Sequence, residues 1–289
     1  MKYKTIKLLL LLIFLSPALV YATDWCADGG LEAGYYMDEA SGNLDDCSSN
    51  NTAMAATGDP GTWNSTGQIA GAFDFAQTND TGFSAADSAA MTNIRTLSVG
   101  AWTAPDTDGD NNETFCGGGL IVNKYDGADG WRLCLSNDAA PLEFVFAYQW
   151  TGGAGKWITT TDPVALTPAF QHLAVTYNAG ATTNDPIFYY NGVSQALSET
   201  NTPATAADDD TGGEPCIGIL GDGSGTGTVG EYDGDIDEVF VYNGGAVLDS
   251  TDINDIMDNG LTSVAVERRV FMISKYTEDL SLYFRRSEL

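Results

Sequence analysis

Basic side chains are scarce in this sequence. Twelve Lys and Arg stand against 40 Asp and Glu, with one histidine, for a formal net charge of -28 over 289 residues. That balance excludes duplex DNA or RNA as a partner, because neutralising phosphates takes clustered Lys and Arg. Long apolar runs are missing too. Beyond the N-terminus no stretch reaches the roughly 18 apolar residues that a membrane-spanning helix requires. Helical periodicity is equally rare before residue 250. Apolar and aromatic material is not lacking, at 43% and 11% of the chain. A disordered acidic tail is therefore excluded, since such chains lack the residues that offset conformational entropy.

Lys2, Lys4 and Lys7 precede an apolar run from Leu8 to Leu15; Pro17 interrupts it, and Val20-Tyr21-Ala22 has the small-residue pattern of a cleavage site. Residues 1–22 are expected to be a secretory signal peptide, which implies a secreted, extracellular or cell-surface location. Between residues 23 and 261 only Arg95, Lys124, Arg132 and Lys156 face 36 acids. Such a segment repels itself and calls for salt screening, bound cations, or both. At residue 262 the Gly/Asp bias ends and Arg pairs appear at 268–269 and 285–286. No role is assigned to this tail, residues 262–289.

All five cysteines follow the signal segment, where disulfides persist. Cys26 and Cys47 are expected to staple the N-terminal segment. The turn at 126–130, centred on position 128, would place Cys134 opposite a residue near 122. Cys116 is therefore expected to reach elsewhere, with Cys216 as the candidate, although sequence leaves the connectivity open.

Short β-rich runs recur between Gly, Asn and Asp clusters: Leu97 to Trp102, Leu120 to Val122, Trp131 to Leu135, Phe144 to Tyr148 and Lys156 to Ile158. His172 to Tyr177, Ile187 to Tyr190, Cys216 to Ile219 and Ile236 to Tyr242 follow. Many short strands without interleaved helices predict an all-β sandwich or barrel. Alternation of Leu173, Val175 and Tyr177 marks one buried face. Only Asp252 to Met257, after Ser250-Thr251, reads as a short C-terminal helix.

Several segments, in order, carry a resemblance. Tyr35-Tyr36-Met37-Asp38-Glu39 precedes Ser41-Gly42-Asn43, and Trp63, Gly67, Gly71, Ala72 and Phe75 follow. Thr96 to Trp102, Phe170 to Tyr177 and Tyr190-Asn191-Gly192-Val193 come next, and Gly234-Asp235-Ile236-Asp237-Glu238-Val239 with Val241-Tyr242 closes the set. From about residue 30 to 261 this resembles the laminin-G-like, concanavalin A-like jelly roll of secreted bacterial proteins. Met37 and Phe170 replace the usual residues. The resemblance implies a two-sheet antiparallel β-sandwich over residues 23–261, with the first and last strands adjacent. It implies function only loosely, because one fold hosts many activities.

Some endo-glucanases of this fold carry acids as E-x-D-x-E on one strand, which places nucleophile and proton donor on one sheet face. Asp235-Ile236-Asp237 copies half of that pattern, but the third position is Val239, or Phe240 if a bulge intervenes, so no general acid stands there. His172 is expected on the sheet face opposite Leu173, as a structural hydrogen-bonding histidine rather than a catalytic one. Abundant carboxylates favour calcium as a structural ion. Its candidate ligands are Asp38 of the opening strand with Asp235 or Asp237 of the closing strand; the alternative is that Asp38 and Asp237 only accept hydrogen bonds from neighbouring backbone amides. The loop Asp106 to Asp110 lacks the later residues of an EF-hand, and Asp208 to Asp210 reads as a solvated loop. Tyr148, Gln149, Trp150 and Trp157 flank the Thr151 to Gly155 turn, where exposed ring faces and an amide could hold a sugar. The expected function is a secreted, non-catalytic, calcium-stabilised module binding carbohydrate or an extracellular surface protein. The alternatives are a structural or adhesive surface protein without a glycan site and, less favoured, a divergent glycoside hydrolase.

Overall fold

Turn-forming Gly, Asn and Asp cut the chain into short β-rich runs, and sixteen strands result among the described residues. In this computed structural model those residues are 23–261 apart from 59–60, 65, 78–79, 111–114, 126–128, 137–139, 151–152, 167–168, 205–209 and 221–228. The expected signal peptide and the tail lie outside the described residues.

The first eight strands are β1 (Leu31–Tyr35), β2 (Ala55–Thr57), β3 (Thr62–Asn64), β4 (Ala72–Phe75), β5 (Gly82–Ser84), β6 (Thr96–Pro105), β7 (Leu120–Tyr125) and β8 (Gly130–Leu135). The others are β9 (Phe144–Tyr148), β10 (Gly155–Thr159), β11 (Gln171–Asn178), β12 (Ile187–Tyr190), β13 (Val193–Gln195), β14 (Leu197–Asn201), β15 (Glu214–Ile217) and β16 (Gly234–Tyr242). One sheet runs β13-β12-β11-β6-β16-β4-β3, with β1 also on β16, and the other runs β14-β10-β9-β8-β7-β15-β5-β2. Every strand pair is antiparallel. This is the expected β-sandwich, and its first and last strands lie side by side.

The two inner faces supply one core. Phe73, Phe75 and Phe83 cluster at one end, and Phe146, Trp157 and Tyr177 meet at the other with centroids 5.0 to 6.2 Å apart. Each such ring contributes roughly 1.5–3 kcal/mol on burial. The outer face of the first sheet is covered as well. Helix α1 (Ser250–Asn259) lays Ile253 and Ile256 on Phe240, Ala174 and Tyr189 of that face. Its start is fixed by a capping box: Asp249 accepts from the Thr251 and Asp252 amides, and Asp252 accepts from the Asp249 amide. Gly100 is the residue beneath Phe240, where an added Cβ would come within 2.8 Å of that ring.

Two disulfides close loops, Cys26–Cys47 as expected and Cys116–Cys134 in place of the expected Cys116–Cys216. The register expectation fails for two reasons. A bulge in β7 sets Cys134 opposite Leu120 instead of residue 122. Cys116 also lies before the strand, and the glycines after it fold back: the Gly118 amide donates to the Leu135 carbonyl, and Leu135 donates to Gly119. Cys216 is buried in β15, opposite Ser84 and Asn123.

Asp210 is not solvated. It is buried with Lys124, whose ammonium lies 3.2 Å from Asp87 and 3.4 Å from Asp210, and Asp210 also accepts from the Asn93 amide. This cluster ties two loops to the end of β7. Replacing Lys124 by Met leaves two acids without their cation, and breaking a buried pair in this way costs on the order of 3 kcal/mol. Urea unfolding of Lys124→Met should show a loss of that size; stability within about 0.5 kcal/mol of wild type, the range of an ordinary surface change, would contradict the assignment.

Candidate functional site

Strand β16 carries the site because its alternation breaks. Ile236 points into the core and Asp237 to the outer face, but Val239, three residues after Ile236, is again a core residue. Glu238, with φ of 49°, is the extra residue of a β-bulge between Asp237 and Phe240. At the same place the neighbour on one edge changes. Strand β4 pairs with residues 234–236 and β1 with residues 239–242. The gap between them is filled by the chain that leaves β1, by the turn that enters β4 and by the segment after α1.

Carboxylates tie these pieces to backbone amides. Asp237 Oδ2 accepts from the Ile69 amide at 2.8 Å, Asp38 Oδ1 from Gly71 at 2.6 Å, and Glu238 Oε2 from Leu261 at 2.9 Å. The turn from Gly67 to Gly71 closes by a Gly67 amide bond to the Ala70 carbonyl. Gly67 admits no side chain: a Cβ there would lie 1.8 Å from the Gly71 carbonyl oxygen and 2.7 Å from Asp237 Oδ2.

Strain gathers at this node. Among the described residues, the non-glycine positions with positive φ are Met37, Asn51, Ala70, Asp80, Asn93, Asn191 and Glu238. Asn and Asp tolerate that conformation through local hydrogen bonds, whereas other residues lose about 1–2 kcal/mol each. Met37, Ala70 and Glu238 are the three that are neither Asn nor Asp, and all three belong to the node. Strain held in one place marks a functional candidate.

The electrostatics are also unfavourable without a cation. Burial pushes Asp237 up to about 8 although the Ile69 and Gln68 amides favour its charge, and Asp38 adds repulsion. Glu238 is likewise pushed up to about 8, first by burial and then by Asp237. Asp237 Oδ1 is buried without a hydrogen-bond partner among the described residues. Hard oxygen donors with one orphaned carboxylate oxygen suit a calcium ion. No three acidic, His or Cys side chains among the described residues are arranged to hold a metal. Of the acidic side chains here, Asp38 and Asp237 are the two that would hold calcium.

Asp235 belongs elsewhere. Its Oδ1 faces the Asn64 amide nitrogen at 3.4 Å, it pairs across the strands with Asp74, and burial together with Asp106 raises its pKa. The expected aromatic ligand patch is buried. Tyr148 donates to the Ile94 carbonyl at 2.8 Å, Trp157 donates to Asp185 at 2.9 Å, and Trp150 packs on Tyr148. All three are at most 3% exposed. Gln149 is half-buried, with its amide on the Gly130 carbonyl. The reason is register: Trp157 lies opposite Phe146, so both face inward. His172 is fully buried, but its ring nitrogens have no hydrogen-bond partner among the described residues. It is held by packing on Trp102 and Phe240, and burial lowers its pKa to about 3.

A groove of about 450 Å³ opens beside the node, lined by Asp38, Glu39, Trp63, Asn64, Ala70 and Gly71. Sequence reasoning missed it, because its walls come from three separated segments. Trp63 was visible only as part of a family-like pattern.

A family profile described as the concanavalin A-like lectin/glucanases superfamily matches residues 77–254. The chain belongs to this superfamily. The match includes Asp237 and Glu238 and begins after Asp38 and the 67–71 turn. The search of curated proteins finds no match. Among solved structures, the botulinum neurotoxin serotype G binding domain is similar at a TM-score of 0.51 and 12% identity, covering 78% of this chain and 50% of that one. A Trypanosoma rangeli sialidase in complex with 2,3-difluorosialic acid is similar at 0.50 and 12%, covering 81% of this chain and 33% of that one. The chain thus spans half or less of these neighbours, and at such identities the likeness shows the fold alone.

For this member of the superfamily the raised acids set a pH dependence. Unfolded carboxylates titrate near 4, whereas Asp237 and Glu238 titrate near 8 in the fold. Between those values the native state binds more protons than the unfolded chain, so stability falls as pH rises. In chelator-treated protein the melting temperature should drop from pH 5 to pH 8, with up to about 1.4 kcal/mol per pH unit for each group. Asp237→Asn should flatten the profile, and a wild-type profile that is level or rising would refute the electrostatics described.

Proposed function

We propose that the chain is a secreted, non-catalytic binding module, recognising carbohydrate in preference to a surface protein, with a calcium ion at Asp38 and Asp237. The observation that carries this reading is the strained, acid-rich node at the sandwich rim with an open groove beside it. Rims and loops on a rigid sheet scaffold are where binding sites concentrate. Superfamily membership supports a binding fold, and two disulfides among the described residues suit an oxidising, extracellular setting. No helix among the described residues is long and apolar enough to cross a membrane.

The acids of β16 support binding over hydrolysis. Asp237 is fully buried with Oδ2 held by the Ile69 amide, so it presents no nucleophile to a solvent-borne sugar. Beyond the bulge the outward position is Phe240, which lies under helix α1. The proton donor that a two-carboxylate mechanism needs on that face is missing from this strand.

When bound, calcium supplies two positive charges that oppose the Asp38, Asp237 and Glu238 repulsion. Asp237 Oδ1 and Asp38 are the side-chain oxygens that would hold it, and the 67–71 turn is the element it would fix. Calcium added to chelator-treated protein at pH 8 should raise the melting temperature by several degrees. A ligand at a hundredfold excess over its Kd adds about 2.7 kcal/mol. Sodium chloride of equal ionic strength should add less, and Asp237→Asn should not respond. Equal responses to the two salts would show plain screening and remove the ion site. A glycan array probed with and without chelator tests recognition; no binding in either condition counts against the carbohydrate reading.

A further inference from the structure

The groove beside the node has a chemistry of its own. Strand β3 presents Trp63 and Asn64, the chain leaving β1 presents Asp38 and Glu39, and the turn before β4 presents Ala70 and Gly71. Its volume of about 450 Å³ lies toward the small end of ligand pockets, roughly 300–1,000 Å³. Trp63 is half-buried and anchored edge-on by Phe73 at 4.8 Å, with Phe83 at 5.9 Å. An indole fixed from behind by two rings is a rigid platform that costs little entropy when a flat apolar surface settles on it.

The polar groups of the groove are mostly acceptors. Glu39 Oε1 takes the Asp45 amide at 2.9 Å, while Glu39 Oε2 is out of water and has no partner among the described residues. Glu39 Oε1 is the oxygen that meets solvent, and beside the Asp45 amide it keeps a second lone pair that can accept a ligand hydroxyl. Asp38 spends one oxygen on the Gly71 amide. Asn64 is engaged at both ends, donating toward Asp235 and accepting from the Thr66 amide. Two carboxylates and no basic side chain line the groove. The four basic residues of the domain are placed elsewhere: Lys124 with Asp87 and Asp210, Arg95 on Asn93, Arg132 over Tyr125 and Lys156 near Phe115.

We propose that this groove is a subsite for an uncharged pyranose, which lays its C–H face on Trp63 and donates hydroxyl hydrogens to Glu39 and Asp38. Sugars carrying carboxylate or sulfate are rejected, because calcium on Asp38 and Asp237 balances only those two acids, and Glu39 is left with no basic side chain or ion to offset it. This rests on the binding-module reading above and adds to it the place and the ligand class.

The test is calorimetric titration of the calcium-loaded chain with neutral oligosaccharides and with the sialylated and sulfated forms of the same oligosaccharides. The neutral forms should bind at least tenfold more tightly. Trp63→Ala and Glu39→Gln should each weaken that binding by tenfold or more, while the calcium-induced rise in melting temperature persists, which shows that the node and fold are intact. Trp63→Phe keeps a ring against Phe73 and should retain most of the affinity. Neutral sugar binding that is unchanged in Trp63→Ala would overturn the groove and leave the binding-module reading standing. Tighter binding of the anionic forms would overturn the proposed ligand class. Absence of sugar binding by the wild-type chain would overturn both this subsite and the carbohydrate reading.

Discussion

The structure depends on how β16 is flanked. Strand β6 pairs along one of its edges, while the other edge is divided between β4 and β1. A strand with two successive neighbours needs a break where they change over, and the bulge at Glu238 is that break. It returns Val239 to the core and turns Phe240 toward helix α1, so both faces of the sheet stay covered. Its cost is local: a left-handed Glu238, a buried Asp237 and a gap that other segments must fill. Met37 and Ala70 adopt strained backbone where those segments enter. Fold closure and the candidate site are therefore one feature.

Much of this architecture was legible in the sequence. Alternation at Leu173, Val175 and Tyr177, and the run from Ile236 to Tyr242, located central strands because burial on one or both faces leaves a clear pattern. The pairing of first and last strands came from the resemblance, and at that rim Asp38 adds its repulsion to the burial of Asp237. The short edge strands β2, β13 and β14 escaped, since edge residues such as Ala55, Ser194 and Thr200 are exposed and carry little hydrophobic signal.

The errors have physical causes. Trp150 and Trp157 read as candidate sugar platforms because they flank a turn, with core packing as the alternative, and packing is what the structure shows: Phe144, Phe146 and Tyr148 alternate on one face, and Trp157 pairs with Phe146. That alternation was the available signal for burial. Cys116 was assigned to Cys216 by a register that assumed both hairpin cysteines lay in paired strands, and three glycines allowed the chain to fold back instead. Asp210 read as solvent-exposed from its acidic neighbours, whereas a buried lysine claimed it. The groove was invisible because three segments far apart in sequence form it.

The central claim is that the buried Asp237 and the exposed Asp38 together hold the 67–71 turn beside β16 and that a cation tightens this hold. Hydrogen exchange at the amides of Ile69 and Gly71, followed with and without calcium, tests it most directly, since each donates to one of the carboxylates concerned. The account predicts protected amides that exchange more slowly still when calcium is present. Rapid exchange at both positions, the same in either condition, would contradict it.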